Sequence, residues 1–309
     1  MQLPRPPASL VRWLTVASVV ANSAIVVTGG AVRLTSSGLG CPTWPRCTDS
    51  SLTPTPEYAQ HGVIEFGNRM LTVVVGVVAL ATLVAVLLDG RRSLRGLAIA
   101  AFLGIPAQAV LGGVTVLTGL NPWTVAGHFL VSMGILAVTV PLAWRASRPD
   151  GPPEPVVGRE LRALVWLLLG VTAAVLVLGT VVTGSGPHAG DAAAARTGLD
   201  PQNVSQLHAD AVMLLVGLTL ATVLALRAVR APAALRHGAA LLLAAELGQG
   251  LIGFVQYFTG LPVALVGAHL AGACLVWIAA LRLALATTVR TAEVPVGPAA
   301  PAESAYAAT

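Results

Sequence analysis

The stretch QAVLGGVTVLTGLNPWTVAGH, Gln108 to His128, occurs twice in this chain. Its second copy, QGLIGFVQYFTGLPVALVGAH, runs from Gln249 to His269, 141 positions later and without a gap. Eight of the 21 positions are identical: the leading Gln, a Gly, a Val, the Thr-Gly-Leu run, a second Val and the closing His. Similarity at one fixed offset marks a duplicated unit. Each copy reads as an apolar helix, a short Gly-containing turn and a second apolar helix with a His in its first turns. Two helix-borne histidines at equivalent places in two halves suggest paired sites.

The rest of the chain sets the medium. Of 309 residues, 55% are hydrophobic and 10% charged, and the mean hydropathy is +0.80. A soluble core does not need that much apolar residue. Eight apolar runs are long enough to cross ~30 Å of hydrocarbon, which takes about 20 residues. They lie at 12–32, 62–88, 97–118, 123–144, 162–183, 205–228, 238–257 and 263–285. The first follows Arg5 and Arg12, but it exceeds a signal-peptide core and has no clear cleavage site, so it counts as a helix. The expected fold is an all-α integral membrane protein with eight transmembrane helices.

The formal net charge is +5, and all 18 basic residues are Arg. They fall in short loops between apolar runs, so the charge reports orientation in the lipid bilayer and not a nucleic-acid partner. Fourteen lie on one side, and Arg33, Arg46, Arg69 and Arg196 on the other. The positive-inside rule then places both termini in the cytoplasm and the protein in the cell membrane. The order is a cytoplasmic arm (1–10), a four-helix bundle (11–147), a cytoplasmic linker (148–161), a second bundle (162–287) and a low-complexity tail (288–309) expected to be disordered. Four spans per half is an even number, so both copies enter the membrane the same way up. Their axis runs along the membrane normal, as in parallel repeats.

The polar groups cluster toward the outer face. His128 and His269 lie about six residues into the fourth and eighth spans, and His208 lies near the start of the sixth. The second span opens HGVIEFGNRM, with His61, Glu65, Asn68 and Arg69. Read singly, such a His is equally a polar group at the headgroup boundary. His208 with His269, at matching depth in one bundle, reads better as a bis-imidazole ligand pair for a haem iron, since bundle cores hold cofactors between facing helices. Zinc is disfavoured, because no further Cys, His or carboxylate completes a tetrahedral shell. His61, Glu65 and Asn68 share one helix face, and Glu65 also reads as a helix-start acid favoured by the dipole. Arg33 and Arg69 either meet acidic groups of a ligand or snorkel to the interface.

Cys41 and Cys47 lie in the outer loop, where a disulfide is expected, structural or redox-active. Cys274 reads as a small apolar core residue. Gln108 and Gln249 are repeat-equivalent, which favours an interhelical hydrogen bond. Glu246 has an apolar counterpart, Ile105; it either stays protonated, which is the expectation, or serves a proton path in one half.

VTGGAVRLTSSGLGCPTWPRC, IEFGNR and the two TGL…H runs resemble the haem A synthase family over about residues 11–285. The resemblance implies oxidation of the C8 methyl of haem O to a formyl group, giving haem A for terminal oxidases. It implies a substrate haem in the N-terminal bundle and a resident haem b in the C-terminal one. Carried over residue by residue, His208 and His269 would ligate haem b, His128 the substrate iron, Glu65 would be the catalytic carboxylate, and Cys41 and Cys47 the disulfide. Haem O synthase and a one-electron donor are the implied partners, with homo-oligomerisation left open. The chain departs from the family pattern at Asn68, where a His is usual. Either His61 supplies the missing imidazole from two turns away, or His128 alone holds the substrate iron; the second is preferred. Two rivals stand beside this reading. A di-haem b electron-transfer cytochrome would need a strong ligand pair in both halves, and a transporter would need charged residues along a path across the membrane.

Overall fold

The computed structural model describes residues 4–291. Its helices are α1 (Ala8–Leu34), α2 (Ala59–Asp89), α3 (Arg92–Leu117), α4 (Pro122–Ala146), α5 (Arg159–Ser185), α6 (Pro201–Ala228), α7 (Ala233–Phe258) and α8 (Val263–Ala286). Most run a few residues beyond the apolar stretches, and two of them open on a side-chain cap. Asn121 accepts the Trp123 N–H at 3.0 Å and Asp200 the Asn203 N–H at 2.8 Å, each followed by a proline as first helical residue. At most 33% of any span's most apolar window is buried inside the protein. Side chains such as Leu241, Leu251 and Leu275 face outward, and lipid must cover them. The chain is a multi-pass membrane protein.

The helices form two rings. In the first, α1 packs on α2, α2 on α3, α3 on α4 and α4 on α1; α5 to α8 close in the same order. The diagonal partners α2 and α4, and α6 and α8, therefore face each other across a bundle core. Between the rings α1 meets α8, α4 meets α5 and α4 meets α8. The first helix of each ring thus packs on the last helix of the other, as a twofold axis along the helices requires. Trp277 Nε1–H donates to the Met133 carbonyl at 2.9 Å across this seam. Leu270 fills the space where a Cβ on Gly30 would stand, so a side chain of α8 rests directly on the backbone of α1 there.

The loops after α1, α3, α5 and α7 gather at one end, called here the cysteine-loop end. Arginines crowd the other. There the linker strand β1 (Pro153–Pro155) pairs antiparallel with β2 (Thr288–Arg290), and Arg290 donates to the Gly151 carbonyl at 2.8 Å. The first residues after α8 are therefore paired backbone; the rest of the expected disordered tail, from 292 on, and residues 1–3 lie outside the described residues.

Arg91 organises the same end. Its guanidinium holds both Asp150 carboxylate oxygens, at 2.8 and 2.9 Å, and the carbonyls of Arg145, Ala146 and Arg148 at the close of α4. The hydrogen bond from Arg91 pushes the Asp150 carboxyl down from 3.8 to about 2. A depressed carboxyl pKa stabilises the fold fully above the unfolded value and ceases to as pH falls through the folded one. Asp150→Asn should lower the thermal midpoint in detergent at neutral pH, by no more than about 1 kcal/mol for so exposed a pair. That difference from the parent should shrink below pH 3.8 and vanish near pH 2.

Candidate functional site

Three of the eight repeat identities meet in space, in both rings. His128 and His269 are each the seventh residue of their helix. Gln108 Nε2 donates to the His128 backbone carbonyl at 2.8 Å, and Gln249 Nε2 donates to that of His269. One turn along from each glutamine is the shared glycine. A Cβ on Gly112 would stand 3.2 Å from Cε1 of His128, and one on Gly253 3.3 Å from Cε1 of His269. The glycine gives the ring a seat that any side chain would crowd. The Thr-Gly-Leu identities build the turn between the paired helices: Gly119 and Leu120 have φ of 61° and 58°, Gly260 and Leu261 of 76° and 60°. Two successive left-handed residues reverse the chain, and the glycine adopts that conformation without a steric penalty.

In the second ring, α6 presents His208 from the diagonal position. Its ring rests on Gly179 of α5, where a Cβ would lie 3.3 Å from Cε1. α6 and α8 thus carry His208 and His269 on opposite sides of the ring's core. His128, His208 and His269 each bury Nδ1, 3.8 to 3.9 Å from where a Cβ on the seat glycine would stand. The donor set, neutral imidazole on facing helices, suits an iron porphyrin.

The diagonal of the first ring differs. Asn68 occupies the place that His208 holds in the second. Its Oδ1 accepts a hydrogen bond from the Thr28 hydroxyl at 2.8 Å, and Nδ2 faces Gly29. The amide oxygen, the atom able to coordinate a metal, is thereby engaged. His61 places its Nδ1 2.9 Å from the Ser37 hydroxyl, beside the start of the outer loop; a bond at Nδ1 leaves Nε2 as a ligand atom.

Glu65 is buried, 5% exposed, beneath the disulfide loop. Oε2 accepts the Cys41 N–H at 2.7 Å; Oε1 accepts from Arg69, Nε at 3.2 Å and Nη2 at 2.5 Å. Arg69 further donates to the carbonyls of Cys41, Thr43 and Arg46 at 2.8 to 3.1 Å. All five guanidinium N–H groups are used within the protein, so Arg69 neither snorkels nor offers a donor to an acidic ligand group. Arg33 bonds the Thr183 carbonyl across the seam at 2.6 Å. Cys41 and Cys47 are bridged and fully buried, and Trp44 between them lies against Gly113 of α3, next to the seat of His128. The loop thus touches both the carboxylate and the imidazole sides of the first ring.

Sequence reasoning missed the glycine seats, Thr28, Ser37 and Trp44. The seats were visible as a signal, since Gly112 and Gly253 are a repeat identity four residues after the glutamine. Thr28 falls in the VTGG run that carries the family resemblance, but its partner lies forty positions away and nothing local names it.

A family model described as cytochrome oxidase assembly protein (COX15-CtaA) matches residues 12–281. The heme A synthase of Lysinibacillus sphaericus is 32% identical over 170 residues, 52% of this chain and 53% of that protein. Its counterpart in Listeria monocytogenes is 30% identical over 174 residues (54% and 57%), and that of Symbiobacterium thermophilum 32% over 178 (53% and 57%). The chain spans a little over half the length of the curated relatives it matches.

Arg69→Lys should loosen the loop, because one ammonium with three donors cannot serve Glu65 and three carbonyls at once. Alkylation of thiols released by a mild reductant should then label Cys41 and Cys47 on the order of tenfold faster than in the parent, a change of about 1.4 kcal/mol. An unchanged rate would show that Arg69 does not hold the loop closed.

Proposed function

Since the chain belongs to the cytochrome oxidase assembly protein family (COX15-CtaA), we propose that it is a membrane haem A synthase, which oxidises the C8 methyl of haem O to the formyl group of haem A. The observation that carries this reading is the contrast between the rings. One presents two imidazoles with buried Nδ1 atoms from diagonally opposed helices; the other presents one imidazole, an engaged amide and a buried carboxylate. The first is a holding site and the second a working site.

His208 and His269 would hold a resident haem b, which when bound supplies one-electron transfer. His128 would bind the iron of the substrate haem. Glycines 112, 179 and 253 seat the three rings. Asn68, tied to Thr28, lines the opposite side of the substrate without ligating it, and leaves that side open. Methyl to formyl is a four-electron oxidation. With dioxygen as oxidant, each turn would take two protons and two electrons, the electrons supplied through the one-electron donor, and each dioxygen would leave one oxygen on carbon and one as water. Two successive hydroxylations of the methyl carbon would give a geminal diol, which loses water to the aldehyde. Both Glu65 oxygens are already hydrogen-bonded, so its contribution is fixed negative charge beside carbon that becomes electron-poor, in a site from which the loop excludes water. Arg69 and Cys41 keep that charge in place. In this reading haem O synthase delivers the substrate, a one-electron donor serves haem b, and the sites lie toward the outer face with both termini cytoplasmic.

Mass spectrometry of pigments from purified protein tests the reading. Haem B together with haem O or haem A is expected; haem B alone would favour the electron-transfer cytochrome, and no pigment would sink both. Glu65→Gln should cut the yield of haem A relative to haem O by about 10²–10³-fold, the size typical of losing one preorganised electrostatic group. Asn68→His should convert the substrate iron from one protein imidazole to two, read as a high-spin to low-spin change in its optical and EPR spectra. A parent protein already low-spin at that iron, and turned high-spin by His61→Ala, would assign His61 as the second ligand instead.

A further inference from the structure

The second bundle contains an acid that the proposed chemistry leaves idle. Glu246, in the middle of α7, is 3% exposed. Its Oε1 accepts a hydrogen bond from the Thr219 hydroxyl of α6 at 2.9 Å. Its Oε2 is buried with no partner. Thr219 is fully buried and bonds the Leu215 carbonyl as well. The first bundle shows how the same position packs without an acid. Ile105 stands where Glu246 does, 141 positions earlier, and Ala79 follows Asn68 at the distance that Thr219 follows His208. Ile105 and Ala79 are buried together with Val75 and Ile135. The acid–hydroxyl pair is therefore not demanded by the helix packing.

Its position relates it to the ligand pair. Glu246 lies one turn from Gln249, whose amide holds the His269 carbonyl, and two turns from Gly253, the seat of the His269 ring. The axial separation from that seat is about 10 Å. Among the described residues, no other carboxylate on α6, α7 or α8 lies at this depth. The remaining titratable groups on helices packed against α7 are His208, Asp210 and Arg227 on α6, and His269, Cys274 and Arg282 on α8. Asp210 sits at the cysteine-loop end and accepts from Gln206 of its own helix. Arg227 and Arg282, with Arg236 and His237 of α7 itself, lie toward the arginine end.

We propose that Glu246 is a proton-binding site coupled to the iron held by His208 and His269, so that its carboxylate takes up a proton when that iron gains an electron. This rests on the haem b reading above. The balance is simple. With haem b bound between His208 and His269, one electron from the one-electron donor would be matched by one solvent proton bound at the unpaired Oε2 of Glu246, and the net charge inside the bundle would be unchanged. Charge compensation matters there because the apolar interior screens poorly. Unit charges on the order of 10 Å apart, at an effective dielectric constant of about 20, shift each other's equilibria roughly tenfold. Coupling between two binding events is reciprocal, so the iron's midpoint potential must fall as pH rises through the titration of Glu246. A tenfold coupling displaces it by about 59 mV in total.

The test is spectroelectrochemical titration of haem b in the purified holoprotein, from mildly acidic to alkaline pH. The parent should show a downward shift of about 59 mV, which Glu246→Gln abolishes. The double variant Glu246→Ile with Thr219→Ala, which copies the packing of the first bundle, should abolish it too. The reduced-minus-oxidised infrared spectrum of the parent should contain a carboxylic-acid carbonyl band that disappears in Glu246→Gln. A potential independent of pH in the parent, or a shift that persists in both variants at full haem content, overturns the proposal. Should haem b be absent, or remain bound after His208→Ala and His269→Ala, the underlying haem reading falls, and the pigment assay identifies that failure separately.

Discussion

A glutamine amide that reaches across a helix pair to the carbonyl of a histidine sets the height of each imidazole. Inside lipid there is no water to satisfy that amide, so its few protein partners fix the register of one helix against the next. The glycine one turn away then decides how near the ring comes. Backbone and ring are held by separate contacts, and the imidazole is placed before any ligand arrives. Preorganisation of this kind lets a metal site bind without reorganising the bundle around it.

On that common frame the two rings carry opposite contents. Where the second has His208, the first has an amide whose oxygen is already bonded to Thr28. Where the first has a carboxylate roofed by a disulfide loop and fixed by Arg69, the second has Ser205 and a loop without cysteines. The acid of the second ring instead lies deeper, at Glu246. Each ring thus keeps one buried carboxyl group, but one is fully bonded and the other has an unpaired oxygen. A fully bonded carboxylate is an electrostatic fixture; one with a bare oxygen can exchange a proton.

The helical scaffold was legible in the sequence because lipid permits little else: eight apolar runs of sufficient length must be helices. The duplicated stretch also named the histidines, the glutamines and the turn. What it did not reveal is chemistry that depends on distant partners. The five bonds of Arg69 run to a loop whose path no periodicity encodes, and the Thr28 hydroxyl meets Asn68 only after α1 and α2 have packed. The pairing of Pro153–Pro155 with Thr288–Arg290 was equally hidden, since three-residue strands show no alternation and prolines argue against strands in general. The helices run a few residues past the apolar spans, since polar first and last turns continue a helix without adding to its hydropathy.

The seam between the rings has a consequence of its own. First helix meets last helix twice and the two last helices meet once, which is the contact pattern of a patch that is complementary to itself. A polypeptide comprising only one ring would carry that patch exposed, and its natural partner would be a sister copy in the same bilayer. Fusion of two such copies into one chain frees each from having to remain identical to the other, and only then can one member of the pair specialise in holding and the other in transforming.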